Sequence, residues 1–179
     1  SNKTGNLNSS FGNYALENNT ASFNSAFGFS SLRENTTGQF NSGFGVGSIS
    51  SNISGFHNSA FGYSTLANNI TGNYNSAFGS YSLQDNLTGE YNTAFGYGSI
   101  ESSTIGNNNS AFGKHSLQFC TSGSGNSVFG TEAGTYITTG SNLTVIGYDA
   151  EPSSSIVTNQ ITLGNNQITS LRCNVTSIT

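Results

Sequence analysis

The sequence predicts an all-β chain, a parallel β-solenoid (β-roll) of about nine 17-residue coils assembling as a parallel homotrimer with an extended, intertwined C-terminal segment. Three observations predict it. An aromatic-Gly step recurs at a fixed period, the intervening residues favour turns and strands over helices, and the strand of each repeat is apolar on both faces.

The step runs through Phe11-Gly12, Phe27-Gly28, Phe44-Gly45, Phe61-Gly62, Phe78-Gly79, Phe95-Gly96, Phe112-Gly113 and Phe129-Gly130, with Ile146-Gly147 as its last copy. The first interval is 16 residues and each later one 17. Other columns keep the register. Asn stands three before the Phe, as at Asn41, Asn58, Asn75, Asn92 and Asn109, and Ser or Thr stands two before it. Leu or Ile follows by five, from Leu16 to Leu117, and Gly by eleven, from Gly38 to Gly140. A 17-residue unit is too short for a helical repeat of about 33 residues or a propeller blade of about 40.

Each unit reads as two short strands and two turns. The first strand is Asn75-Ser76-Ala77-Phe78, the first turn centres on Gly79, and the second strand ends at Leu83. Thr88-Gly89 closes the coil, with Gly expected there for a positive φ. Such a unit cannot bury its own face and must stack on its neighbours. At about 4.8 Å per strand, nine coils make a rod of roughly 43 Å.

Stacking gives the composition a purpose. Gly, Asn, Ser and Thr supply 100 of 179 residues, only 12 residues carry a formal charge, and the net charge is −4. In a stack, the Phe ladder (Phe27, Phe44, Phe61, Phe78, Phe95, Phe112 and Phe129) and the Leu/Ile column are expected to fill the interior, and the Asn column to pair amides from coil to coil. Ala26, Ala60, Ala77, Ala94 and Ala111, beside the Phe, lie on the opposite face of the strand. A strand apolar on both faces is buried on both, so one face is expected inside the coil and the other against parallel copies of the chain. Residues 1–151 are read as the solenoid and 152–179 as the extended tail, where β-branched residues run near period two.

The units Asn75-Ser76-Ala77-Phe78-Gly79 resemble the head repeats of trimeric autotransporter adhesins, a family of left-handed parallel β-roll trimers. Closer still is a resemblance to repeat regions of phage and large-virus fibre proteins, with Asn35-Thr36-Thr37-Gly38 and Asn86-Leu87-Thr88-Gly89 as linkers. The tail from Gln160 to Asn165 and from Ile168 to Thr176 resembles the stretch preceding an endosialidase-type intramolecular chaperone, which trimerises its fibre and then cleaves itself off. The resemblance implies a mature fibre segment at a virion surface or another extracellular place, ending near that cut.

Four cations cannot supply the phosphate contacts that dominate nucleic-acid affinity, and no apolar run approaches the ~18 residues of a membrane span. The start, Ser1-Asn2-Lys3-Thr4, lacks a signal-peptide pattern. Cys120 and Cys173, about three coils or ~14 Å apart, are beyond disulfide reach of one another. No cofactor, metal or enzymatic activity is expected. Glu17 and Glu34 are the one carboxylate pair that adjacent coils could align, as a glycosidase requires. His57 and His115 fall in different columns. Sequons at Asn18, Asn35, Asn52, Asn69, Asn86 and Asn142 are by-products of the repeat. For binding, Phe29, Tyr63 and Tyr97, two after the key Phe, and Tyr74 and Tyr91, four before it, offer aromatic faces among amides and hydroxyls. Phe23 and Phe40 share the column of Tyr74 and Tyr91. The expected function is therefore a structural and receptor-binding fibre or adhesin domain that contacts host-surface glycans. An ice-binding solenoid and a polysaccharide-cleaving tailspike are the alternatives.

Overall fold

The computed structural model describes residues 4–170. Ten three-residue strands follow in chain order: β1 Ser9–Phe11, β2 Ser25–Phe27, β3 Ser42–Phe44, β4 Ser59–Phe61, β5 Ser76–Phe78, β6 Thr93–Phe95, β7 Ser110–Phe112, β8 Ser127–Phe129, β9 Thr144–Ile146 and β10 Ile161–Leu163. They form one parallel sheet in sequence order, so each coil is itself the connection between neighbouring strands. The register joins equivalent positions throughout, as in Ser76↔Thr93, Ala77↔Ala94 and Phe78↔Phe95. The chain is a β-solenoid of about nine turns.

Each coil has one strand, not two. The Leu/Ile column lies in the left-handed region, with φ of 49° at Leu32, 50° at Ile49 and 51° at Leu83. A bulky residue there costs on the order of 1–3 kcal/mol and persists only when its surroundings over-determine it. Here they do. Each of these backbone amides donates to the next coil, Leu32 N to Ser48 O at 3.0 Å and Ile49 N to Thr65 O at 3.0 Å. Their side chains are fully buried.

The face assignment is the reverse of that expected. The Ala column, from Ala26 to Ala111, is fully buried with the Leu/Ile column, whereas Phe27, Phe61, Phe95 and Phe129 are 37–42% exposed. Volume decides this. Beneath the strand lies a buried column of small hydroxyl residues that includes Ser31, Ser48, Thr65 and Ser82. A Cβ at Gly43 would come within 2.7 Å of Ser31 Oγ and 2.9 Å of Ser48 Oγ. A benzyl ring pointing inward has no room, so it points out and Ala points in.

The Thr-Gly glycine is also required for a different reason. Gly55 and Gly72 are not among the positive-φ residues. A Cβ on Gly55 would instead lie 2.6 Å from Asn69 Nδ2 and collide with the Gly72 carbonyl of the next coil. Close approach, not backbone sign, excludes side chains there.

Two Asn columns divide the polar work. Asn41, Asn58, Asn75, Asn92 and Asn109 do not pair with one another's amides. Each Nδ2 donates to a glycine carbonyl, as Asn58 to Gly72 O at 2.8 Å, and each Oδ1 accepts the backbone N–H of the next Asn in the column, as from Asn75 at 3.0 Å. The amide-to-amide ladder belongs to Asn19, Asn35, Asn52, Asn69 and Asn86. Its Nδ2-to-Oδ1 bonds are 2.6 Å from Asn35 to Asn19, 2.6 Å from Asn52 to Asn35, 2.7 Å from Asn69 to Asn52 and 2.8 Å from Asn86 to Asn69. It stops at Ser103, leaving Asn86 Oδ1 and Ser103 Oγ buried without partners. Beyond it the column continues as Cys120 and Ile137, both fully buried.

The segment after Pro152 does not leave the stack as an extended tail. β10 pairs with β9 in the same register, Ile161↔Thr144 and Leu163↔Ile146. Leu163-Gly164 stands 17 residues after Ile146-Gly147, so the period continues one coil further. The remainder of the expected tail, with Cys173, lies outside the described residues. Cys120 is a free, buried thiol.

Candidate functional site

Because the Phe face points outward, the solenoid carries its aromatic rings on its surface. Each ring is placed by the same two constraints: in-register strand pairing and a backbone that repeats every coil. The spacing between coils is therefore the spacing between rings.

The central ladder is Phe27, Phe44, Phe61, Phe78, Phe95, Phe112 and Phe129. Consecutive rings stack with centroids 4.9, 4.8, 4.8, 4.4, 5.4 and 5.0 Å apart and planes within 13°. Half-buried Ser or Thr residues share the outward face of each strand.

A second ladder contains two of the residues expected to bind, Tyr74 and Tyr91. They stack at 4.9 Å, and His57 and Phe40 extend the column at 5.1 and 4.7 Å, ending on Phe23 at 4.9 Å. These rings stand on backbone with φ of 56–65°. Phe56 meets His57 and Tyr74 edge-on at 5.7 and 5.2 Å. Phe40, Phe56 and His57 line a hollow of about 260 Å³ with Thr37, Gln39 and Ser54.

Phe29, Tyr63 and Tyr97, about half exposed, form a third group with edge-to-face contacts. Tyr63 meets Tyr81 at 5.3 Å, Tyr81 meets Tyr97 at 5.6 Å, and Tyr97 meets His115 at 5.2 Å. Phe29 meets Tyr14 at 5.6 Å. Tyr81, Tyr14 and Phe56 were not singled out by the sequence, although Tyr14, Tyr81 and His115 share one column, three residues after the key Phe. Loss of solvent, with smaller contributions from Tyr63, Tyr97 and Glu101, pushes the Tyr81 phenol above its ordinary range. The five expected residues thus fall into three contact sets: Tyr74 with Tyr91, Tyr63 with Tyr97 through Tyr81, and Phe29 with Tyr14.

Glu17 and Glu34 are brought onto adjacent coils but not across a cleft. Arg33 Nε sits between them, 2.9 Å from Glu17 and 3.4 Å from Glu34, with its guanidinium 5.3 Å from the Tyr14 ring centre. Both carboxylates pair with that cation, and Glu34 Oε2 also accepts from Asn18 Nδ2 at 2.7 Å. The Thr hydroxyls at the turns are likewise committed: Thr36, Thr104 and Thr121 donate to carbonyls of the next coil at 2.8, 3.1 and 3.2 Å. Among the described residues, no group of three His, Cys, Asp or Glu side chains is placed to hold a metal ion, and no helix is long and apolar enough to cross a membrane.

Comparison with protein-family models, with curated proteins and with solved structures gives no match to this chain.

Proposed function

We propose that this solenoid is a structural and receptor-binding segment of a virion-surface fibre or adhesin, a parallel homotrimer that attaches to host glycans. One observation carries the proposal: an unbroken row of seven stacked, outward-facing Phe rings on a rod with almost no charge. A contiguous exposed apolar strip of this kind marks an interaction surface. Parallel copies related by a rotation axis along the rod bring the same strip together at every coil, which suits a closed cyclic assembly. The central Phe ladder is assigned to that interface.

The flanking aromatics are assigned to the ligand. Tyr74 and Tyr91, and separately Phe29, Tyr63 and Tyr97, present ring faces and phenol hydroxyls beside neutral amides and hydroxyls. A sugar ring offers C–H faces for the rings and hydroxyls for the polar groups, and it needs no charged partner.

Multi-angle light scattering tests the assembly, and a glycan array tests the ligand. The expected mass is three times that of the chain, with Phe61→Ser and Phe78→Ser together giving monomer. A monomeric wild type refutes the trimer. A blank array with intact trimer refutes the glycan.

A further inference from the structure

The repeat changes its outward side chains over a short stretch near β7 to β9. Seven residues after the key Phe, the column reads Asn18, Glu34, Ser51, Asn68, Asp85 and Ser102, and then Phe119 and Tyr136. Three residues after it, the last three members are His115, Glu132 and Asp149. Nothing in the packing demands these substitutions. The earlier coils keep polar side chains at the Phe119 and Tyr136 position with the same backbone. Phe119 is 44% and Tyr136 65% exposed, so neither serves the core.

Together the two columns enclose a hollow of about 320 Å³, at the small end of the range for ligand pockets, about 300–1,000 Å³. Phe119 and Tyr136 supply its aromatic walls, and Gln118 and Thr135 add an amide and a hydroxyl. Gln118 is held by its Nε2 bond to Glu101 Oε2 at 2.7 Å. Thr135 is held by donation to backbone carbonyls, Glu132 O at 2.8 Å and His115 O at 3.1 Å. Glu132 has one cation nearby, Lys114 Nζ at 3.9 Å. Asp149 takes part in none of the ion pairs among the described residues. His115 Nδ1 is buried without a hydrogen-bond partner.

We infer that this hollow is a saccharide subsite for a neutral pyranose, with Asp149 and Glu132 accepting from vicinal hydroxyls and Tyr136 and Phe119 covering its C–H face. The inference rests on the glycan reading above and adds to its flanking aromatics one further place, of one charge class. Two carboxylates against one lysine, with Glu101 beyond Gln118, disfavour acidic sugars. A neutral sugar brings its own donors to the acceptors and leaves no buried charge unpaired.

Saturation-transfer NMR on the full chain, with methyl galactoside, N-acetylglucosamine and N-acetylneuraminic acid as probes, tests it. The variants are Tyr136→Ala, Asp149→Asn and, as an exposed control assigned to no site, Ile53→Ala. The expected result is a signal from a neutral sugar that weakens at least tenfold in Tyr136→Ala and in Asp149→Asn and persists in Ile53→Ala. Both varied side chains near the hollow are exposed, and unchanged melting of the variants excludes misfolding as the cause. A neutral-sugar signal unchanged in both Tyr136→Ala and Asp149→Asn overturns the subsite while leaving the glycan reading intact. Binding of the acidic sugar in preference to the neutral ones also overturns it. Absence of any signal together with a blank glycan array overturns both.

Discussion

Replacing Asn52 with Ala interrupts the amide ladder in its middle. Three hydrogen bonds disappear: Nδ2 to Asn35 Oδ1, Nδ2 to Gly55 O, and the bond received from Asn69 Nδ2. Gly55 O keeps its donor from Asn41 at 2.7 Å, and Asn69 keeps its bond to Gly72 O at 3.0 Å. Asn35 Oδ1 and one N–H of Asn69 are left buried and unpaired. At about 1 kcal/mol per bond, with further cost for the orphaned groups, the loss comes to about 3–5 kcal/mol. Asn86→Ala is the internal control. It also removes bonds, to Asn69 Oδ1 and Gly89 O, but Asn86 Oδ1 already lacks a partner. One orphan is exchanged for another, and the loss should be about 2 kcal/mol. Ser103→Asn runs the other way: it offers a donor to Asn86 Oδ1, removes the unpaired Ser103 hydroxyl, and should gain about 1 kcal/mol. Urea unfolding followed by far-UV circular dichroism and tyrosine fluorescence checks all three, with coincident transitions required before midpoints are converted to energies. If Asn86→Ala costs as much as Asn52→Ala, the ladder does not act through satisfied amides and the reasoning fails.

Other outcomes follow from the same geometry. Gly72→Ala should cost several kcal/mol, because its Cβ would lie 2.7 Å from Asn86 Nδ2 and strike Asn69 Oδ1 and the Gly89 carbonyl. Gly47→Ala should cost about 1 kcal/mol, since φ is +67° but the nearest atom, Ser64 Oγ, is 3.6 Å away; thermal melts of the pair compare them. Burial pushes the Cys120 thiol up from an ordinary 9.0 to about 11. Between those values the unfolded chain ionises and the folded one does not, so this thiol's contribution is intact below pH 9 and falls as pH rises through the window. Cys120 should also resist iodoacetamide at pH 8 until denaturant is added, which peptide mass spectrometry reads directly. Asn35, Asn52, Asn69 and Asn86 are fully buried and use their Nδ2 in the ladder. Folded protein from a glycosylating host should therefore carry no glycan at these four sequons, as deglycosylation mass mapping would show.

The period was legible because identical columns are needed for stacking, and stacking alone specifies the solenoid. Which face pointed inward was not. A strand reading Ser-Ala-Phe is apolar on both sides, and alternation cannot rank them. The interior volume decides, and it depends on the buried Ser and Thr column across the coil, including Ser31 and Ser48. The missing second strand was hidden similarly, since Leu and Ile carry no preference for the left-handed region that they occupy here. Only the Asn column at the strand entrance stands out as a column; the ladder residues from Asn35 to Asn86, legible only as sequons, lie in the turn, and that difference in place sets their different pairing. Of the aromatics, Phe29, Tyr63, Tyr74, Tyr91 and Tyr97 are each about half exposed. Their division into a stacked and an edge-to-face group depends on ring orientation, which spacing does not encode. The tenth strand is masked in the sequence because the accompanying columns have drifted by then: Gln160 stands in the Asn column and Val157 where Gly closes the earlier coils, although the interval of 17 is kept.

The coil is also a unit of length at the level of the gene. Each coil's backbone amides, its Leu and its ladder Asn find their partners one period away. An in-frame duplication of 17 codons, 17 × 3 = 51 bases, therefore inserts a complete set of donors and acceptors. It lengthens the rod by about 4.8 Å and leaves every neighbour as it was. Changes of other sizes must be absorbed within a turn. The 16-residue first interval does this: Asn19 Nδ2 donates to Ala21 O two residues on, where Asn35 reaches Gly38 O three residues on. The β1–β2 register survives the missing residue. Rod length can thus vary in discrete steps between related chains without any redesign of the surface.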